Sequence, residues 1–316
     1  MRSRRISYLD KEILKELRLR VEMNDPLYRG LKKLAIRGKD LQAVPHVLFT
    51  MMELEVLDLS PARESCLDFR LPLVPPSIGR LINLKVLVLD TNDLYTIPKE
   101  ISLLQSLERL ALGNNYLSSL PHGMDRLSHL RSLHLGNNKF EAFPLELCEL
   151  QALEFLDLSA NLLVAVPCDV SKLVNLKTLL LNYNKIIQLP DSICELTGLE
   201  CLWLGNNRIK YLPRDFGNLV RLDWGYRYTS SMLENNPLIN PPIEICRKGP
   251  GKINQYFEDL DAIHTISTPQ FEEDEFRANE RYSVLGKGEE ETDHEMTDVE
   301  ENQSLSIKIT SPTDSE

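Results

Sequence analysis

Three residues of the types that serve nucleophilic catalysis stand in the middle of the chain: His134, Asp157 and Cys201. A thiol relay needs such side chains within about 3 Å of one another in a pocket. No glycine-rich phosphate loop, metal-ligand spacing or Gly-x-Ser-x-Gly elbow accompanies them. A second chemistry would use the chain as a substrate. Arg4-Arg5-Ile6-Ser7 fits basophilic kinases, Thr292-x-x-Glu295 and Thr297-x-x-Glu300 fit acidophilic ones, and Ser311-Pro312 fits proline-directed ones. A third is recognition through large rings, for which Phe155, Tyr183 and Trp203, with Leu180 between them, are the candidates.

Whether these residues meet depends on the elements that carry them. From Leu84 the chain reads Leu84-x-x-Leu87-x-Leu89-x-x-Asn92-x-Leu94-x-x-Ile97-Pro98, and then repeats. Asparagine recurs every 23 residues at Asn92, Asn115, Asn138, Asn161, Asn184 and Asn207, and proline keeps step from Pro98 to Pro213. A fixed period of this length with that core is the leucine-rich-repeat signature. Each unit is too small to bury its own apolar side and is stable only when stacked. The paired leucines, such as Leu110 and Leu112, alternate with variable residues, which is the period of a strand with one buried face. The expectation is an α/β solenoid: a horseshoe of about nine coils with a parallel concave sheet. The repeated Asn should bond backbone groups inside each coil, and the Pro should send the chain to the convex side, where its missing N–H costs nothing.

The period places the candidates. His134 and Asp157 share one column on neighbouring strands about 4.8 Å apart, whereas Cys201 lies two coils farther on. His134 and Asp157 can therefore touch, but the thiol is out of reach, and a non-catalytic protein without cofactor or metal is expected. The position after the first leucine runs Lys32, Glu55, Lys85, Glu108, Arg131, Glu154, Lys177, Glu200. That strict alternation of sign suits a device that sets stacking register. Phe155, Leu180, Tyr183, Cys201 and Trp203 converge on the concave face beside His134 and form an apolar patch rimmed by polar residues, a partner-binding signature. Six extra residues fall near Trp224, Tyr226 and Tyr228, and seven near Ser60 to Cys66. The first insertion either extends the patch or covers Phe155 and Trp203.

At the ends, Ser7-Tyr8-Leu9-Asp10 reads as a capping box, with helical spacing to about Met23 and a stop at Asn24-Asp25-Pro26. Residues 1–30 are thus expected to be a capping helix, 31–245 the repeats and 246–264 a second cap with a short amphipathic helix over Lys252 to Leu260. Residues 265–316 hold fifteen acidic and four basic residues, which equals the whole chain's net charge of −11. That composition predicts a disordered acidic tail, in which Thr292, Thr297 and Ser311 are candidate phosphorylation sites together with Ser7 at the other end. The neutral solenoid offers no basic footprint for nucleic acid. With six scattered cysteines, no signal-like run and no apolar stretch long enough to span a membrane, a cytoplasmic protein with reduced thiols is expected, nuclear residence being the alternative.

The unit ending Leu-Pro-x-x-Ile-x-x-Leu and the closing Asn235-Asn236-Pro237-Leu238-x-x-Pro241-Pro242 resemble the intracellular Ras-group leucine-rich-repeat proteins over about residues 31–260. These comprise the Ras-binding phosphatase scaffold, the plant Ras-group-related proteins and small vertebrate relatives. The resemblance implies a monomeric scaffold or adaptor with a protein partner such as a small GTPase, a phosphatase or a ubiquitin-ligase component. Arg5-Ile6-Ser7-Tyr8 also resembles, weakly, the docking motif of phosphatase-1 partners. Two other roles follow from the same reading: a substrate adaptor of a phosphatase or ligase complex, and a structural cytoskeletal spacer.

Overall fold

The computed structural model of the chain describes residues 7–42, 44–61, 69–222 and 233–266. Eight three-residue strands, β1 (Lys33–Ala35), β2 (Val56–Asp58), β3 (Val86–Val88), β4 (Arg109–Ala111), β5 (Ser132–His134), β6 (Phe155–Asp157), β7 (Thr178–Leu180) and β8 (Cys201–Trp203), form one sheet. They pair in sequence order, all parallel, with equivalent residues of successive coils in register. The central residue of each strand, from Leu34 to Leu202, is fully buried. Its two flanking positions form the open face. From Pro45 on, a short 3-10 helix follows the proline that opens the far side of each coil, with the proline as N-cap where the chain is regular, as at Pro98–Leu103 and Pro190–Glu195.

The repeated asparagines are buried and fully engaged. Asn115 donates from Nδ2 to the carbonyls of Leu89 and Leu112, both at 3.0 Å, and its Oδ1 accepts the N–H of Leu94 at 3.2 Å. Asn138 repeats this with Leu112, Leu135 and Leu117. Each Asn thus ties its own coil to the one before it and pairs buried backbone groups of both. In the ninth coil, Asn236 makes the same bonds to Leu204, Leu233 and Ile209. The residue before each Asn is left-handed, with φ between 51° and 61° at Thr91, Asn114, Asn137, Ala160, Tyr183, Asn206 and Asn235.

Helices close both ends. α1 (Tyr8–Leu19) begins with the expected capping box, Ser7 Oγ accepting the N–H of Asp10 and Asp10 Oδ2 accepting that of Ser7. It ends at Leu19 rather than Met23. The chain beyond must satisfy the outer edge of β1, and Glu22 exchanges two 2.8 Å backbone hydrogen bonds with Lys33 there. At the other end, α2 (Ile243–Cys246) is followed by α3 (Pro250–Ile266), longer than the helix expected over Lys252 to Leu260. Ile253 and Phe257 of α3 are buried, and Arg214 donates to Asp261 at 2.6 Å. α3 approaches the last 3-10 helix so closely that a Cβ on Gly217 would stand 2.6 Å from the Pro250 carbonyl. The solenoid belongs to the unit Met1–Ala262; of the unit Ile263–Glu316, only the final turn of α3 is among the described residues. The acidic tail with Thr292, Thr297 and Ser311, and the insertion with Trp224, Tyr226 and Tyr228, lie outside them.

Candidate partner-binding face

The candidates come together on the open face of β5 to β8. His134 pairs across the sheet with Asp157, Asp157 with Leu180, and Leu180 with Trp203. Phe155 and Cys201 project from the other open column, at the starts of β6 and β8. The Phe155 ring lies against the His134 imidazole, centroids 4.6 Å apart and tilted by 33°. Phe155, Leu180, Cys201 and Trp203 are half-buried rather than exposed, because wide side chains on strands about 4.8 Å apart lean over one another. Tyr183, in the turn after β7, is 60% exposed.

The same face answers the catalytic question. His134 Nε2 lies 3.0 Å from Ser132 Oγ, and burial, reinforced by Arg109 and opposed by Asp157, pushes its pKa down to about 4. Asp157 Oδ1 accepts from the N–H and hydroxyl of Ser159, at 2.9 and 2.6 Å. Cys201 sits two strands beyond Asp157, roughly 10 Å away by strand spacing. The three do not assemble a relay. Burial lifts the thiols of Cys148, Cys194 and Cys246 to about 11, 12 and 12, which removes them as nucleophiles near neutrality. Among the described residues no group of three or more His, Cys, Asp or Glu is placed to hold a metal.

The alternating column pairs in part, with ion pairs at Glu55–Lys85 and on both sides of Glu154. Glu154 accepts from Arg131 at 3.0 Å and from Lys177 at 2.6 Å, and Glu55 accepts from Lys85 at 2.9 Å. The Lys177 hydrogen bond holds the Glu154 carboxyl below its usual range, and that of Lys85 does the same for Glu55.

Two features of this face were not anticipated. Asp90, just after β3, is half-buried and accepts the Gly113 N–H at 2.6 Å; its pKa is raised to about 6 by burial, opposed by that hydrogen bond and by Arg109, with Asp58 and Asp157 adding to the rise. The open face is also closed at its first strand: Lys33 is buried, bonded to Asp25 at 2.6 Å and lying under the Tyr28 ring. The pattern Leu-Asp-Leu-Ser at 57–60 and 156–159, where each Asp caps its own turn through the Ser, was a readable sign that these carboxylates are structural. Asp90 has no Ser two residues on, and its partner, a backbone N–H of the next coil, leaves no mark in the sequence.

Residues 82–140 match a leucine rich repeat family model, and 175–196 and 198–219 match a second one. The fold is a leucine-rich-repeat solenoid. A solved leucine-rich-repeat protein of Leptospira interrogans is 33% identical, with a TM-score of 0.56, over 66% of this chain and 55% of its own. The Arabidopsis receptor kinase HAESA, solved with the peptide hormone IDA and a co-receptor, is 30% identical over 62% of this chain and 32% of its own, with a TM-score of 0.49. A TDR receptor is 26% identical over 61% and 37%, also at 0.49. This leucine-rich-repeat chain thus spans about half the length of the first and about a third of the other two. Comparison with curated proteins gives no match. No helix among the described residues is long and apolar enough to cross a membrane.

Proposed function

We propose that the chain is a protein-interaction scaffold or adaptor, non-catalytic and cytoplasmic, that holds a protein partner on the open face of β6 to β8. The observation that carries this reading is Tyr183. An aromatic ring stands 60% exposed on a left-handed residue, at a turn position held by Asn or a smaller residue in six other coils, in the turn that follows the Leu180 strand. A bulky residue in that conformation costs of order 1 kcal/mol, and such strain at a surface favours a role in recognition over packing. Tyr and Trp are also the residue types that most often anchor protein interfaces. The Ras-group resemblance of the repeats makes a small GTPase, a phosphatase or a ubiquitin-ligase component the partner class to look for.

The test is a comparative pulldown with the wild type and the Phe155→Ala/Trp203→Ala double variant, both checked for folding by circular dichroism. Partners retained by the wild type and lost by the folded variant support the reading. An identical partner set defeats it and favours a structural spacer.

A further inference from the structure

α1 closes the first coil with Leu17 turned inward, but its opposite side is unusual for a cap. Tyr8 and Leu19 are 81% and 80% exposed there. One flank carries Lys11, Leu14, Lys15, Arg18 and Leu19, the three-and-four spacing of a continuous helical stripe, and these residues line a groove of about 340 Å³. Its base is the half-buried Leu14 and its rim is cationic. Glu12 and Glu16 lie round the helix on the adjoining flank. Arg18 is held by Glu53 at 3.1 Å, whereas Lys11 and Lys15 make no ion pair among the described residues. This contrasts with Lys85, Arg131 and Lys177 on the sheet, each bound to a glutamate. α1 holds three basic residues, all on this flank, and three acidic ones, none of which lines the groove.

We propose that this flank of α1 is a second docking site, which takes an acidic segment of a protein partner carrying an apolar side chain. Carboxylates of the segment meet Lys11 and Lys15, and the apolar side chain enters over Leu14 against Leu19. Charge complementarity alone would also admit an anionic bilayer. A plane, however, meets the exposed Glu12 and Glu16 of the adjoining flank as well, whereas a segment laid along the Lys11–Lys15 stripe meets chiefly the cations within a Debye length of about 8 Å. The site does not depend on the open face of the sheet.

The probe is a labelled synthetic peptide alternating glutamate and leucine, titrated into the full chain and followed by fluorescence anisotropy. Saturable binding is expected. It should weaken at least tenfold in the Lys11→Glu/Lys15→Glu variant, fall as salt rises, and stay unchanged in Phe155→Ala/Trp203→Ala. Leu19→Ser, at an exposed position, should weaken it without altering the fold. No binding, or equal binding by the Lys variant, overturns the proposal. So does cosedimentation with phosphatidylserine vesicles in the absence of peptide binding, which would make the flank a lipid contact.

Discussion

Asp90 and His134 show how burial on one face moves two pKa values in opposite directions, each toward favouring the neutral form. For Asp90 the folded pKa of about 6 lies above the ordinary 3.8. Between these values the folded state keeps a proton that the unfolded state has lost, so stability falls as pH rises through the window. His134 works the other way: with a folded value of about 4 against 6.5, it costs stability as pH falls through that range. The wild-type curve therefore mixes opposing slopes, and a variant separates them. Asp90→Asn keeps an acceptor for the Gly113 N–H and removes the titration. We expect it to be more stable than wild type by about 2 kcal/mol at pH 7, the gain vanishing below pH 4, as read by urea unfolding at each pH. A gain independent of pH would show that Asp90 is not the titrating group. Tyr183→Asn gives a second residue-scale test. Asn suits the left-handed turn, as Asn114, Asn137, Asn206 and Asn235 do, so the variant should be as stable as wild type or slightly more so.

At the scale of the coil, the asparagine ladder and the charge column do different things. Replacing Asn138 by Ala leaves the buried N–H of Leu117 without its partner and takes from the carbonyls of Leu112 and Leu135 one of two donors each, Asn115 and Asn161 remaining. A loss of about 2 kcal/mol follows, measurable by chemical denaturation, and hydrogen exchange should speed up first around coils four to six. Glu154→Lys instead sets three cations side by side at the surface, and we expect a loss of no more than about 1 kcal/mol, reduced by salt. The middle coils were legible in the sequence because their leucines, asparagines and prolines recur without a break from Leu84 to Pro213. The ends of the helices were less so. Helical spacing continues through Val21, but the unpaired edge of β1 takes Glu22 for its own hydrogen bonds, a tertiary demand that local pattern does not carry. The left-handed turn was marked only by an excess of Asn before the invariant one, and Tyr183 and Ala160 break even that mark.

Across the whole solenoid, regularity is the background against which function is sought. The inward positions repeat coil after coil; the open face does not, running from Lys33 sealed under Tyr28, past Asp90 and Arg109, to the rings of β6 to β8. Periodicity put Phe155, Leu180, Cys201 and Trp203 on one face, but it could not give their half-burial, which arises from contacts such as Phe155 on His134. The central claim is that this uneven stretch holds a protein partner. Isothermal titration of the partner recovered by the wild type, against wild type and Tyr183→Asn, tests it most directly. We expect the variant to bind at least tenfold more weakly while melting at or above the wild-type temperature. Equal affinity in a folded Tyr183→Asn protein would contradict the claim and move the binding surface away from β6 to β8.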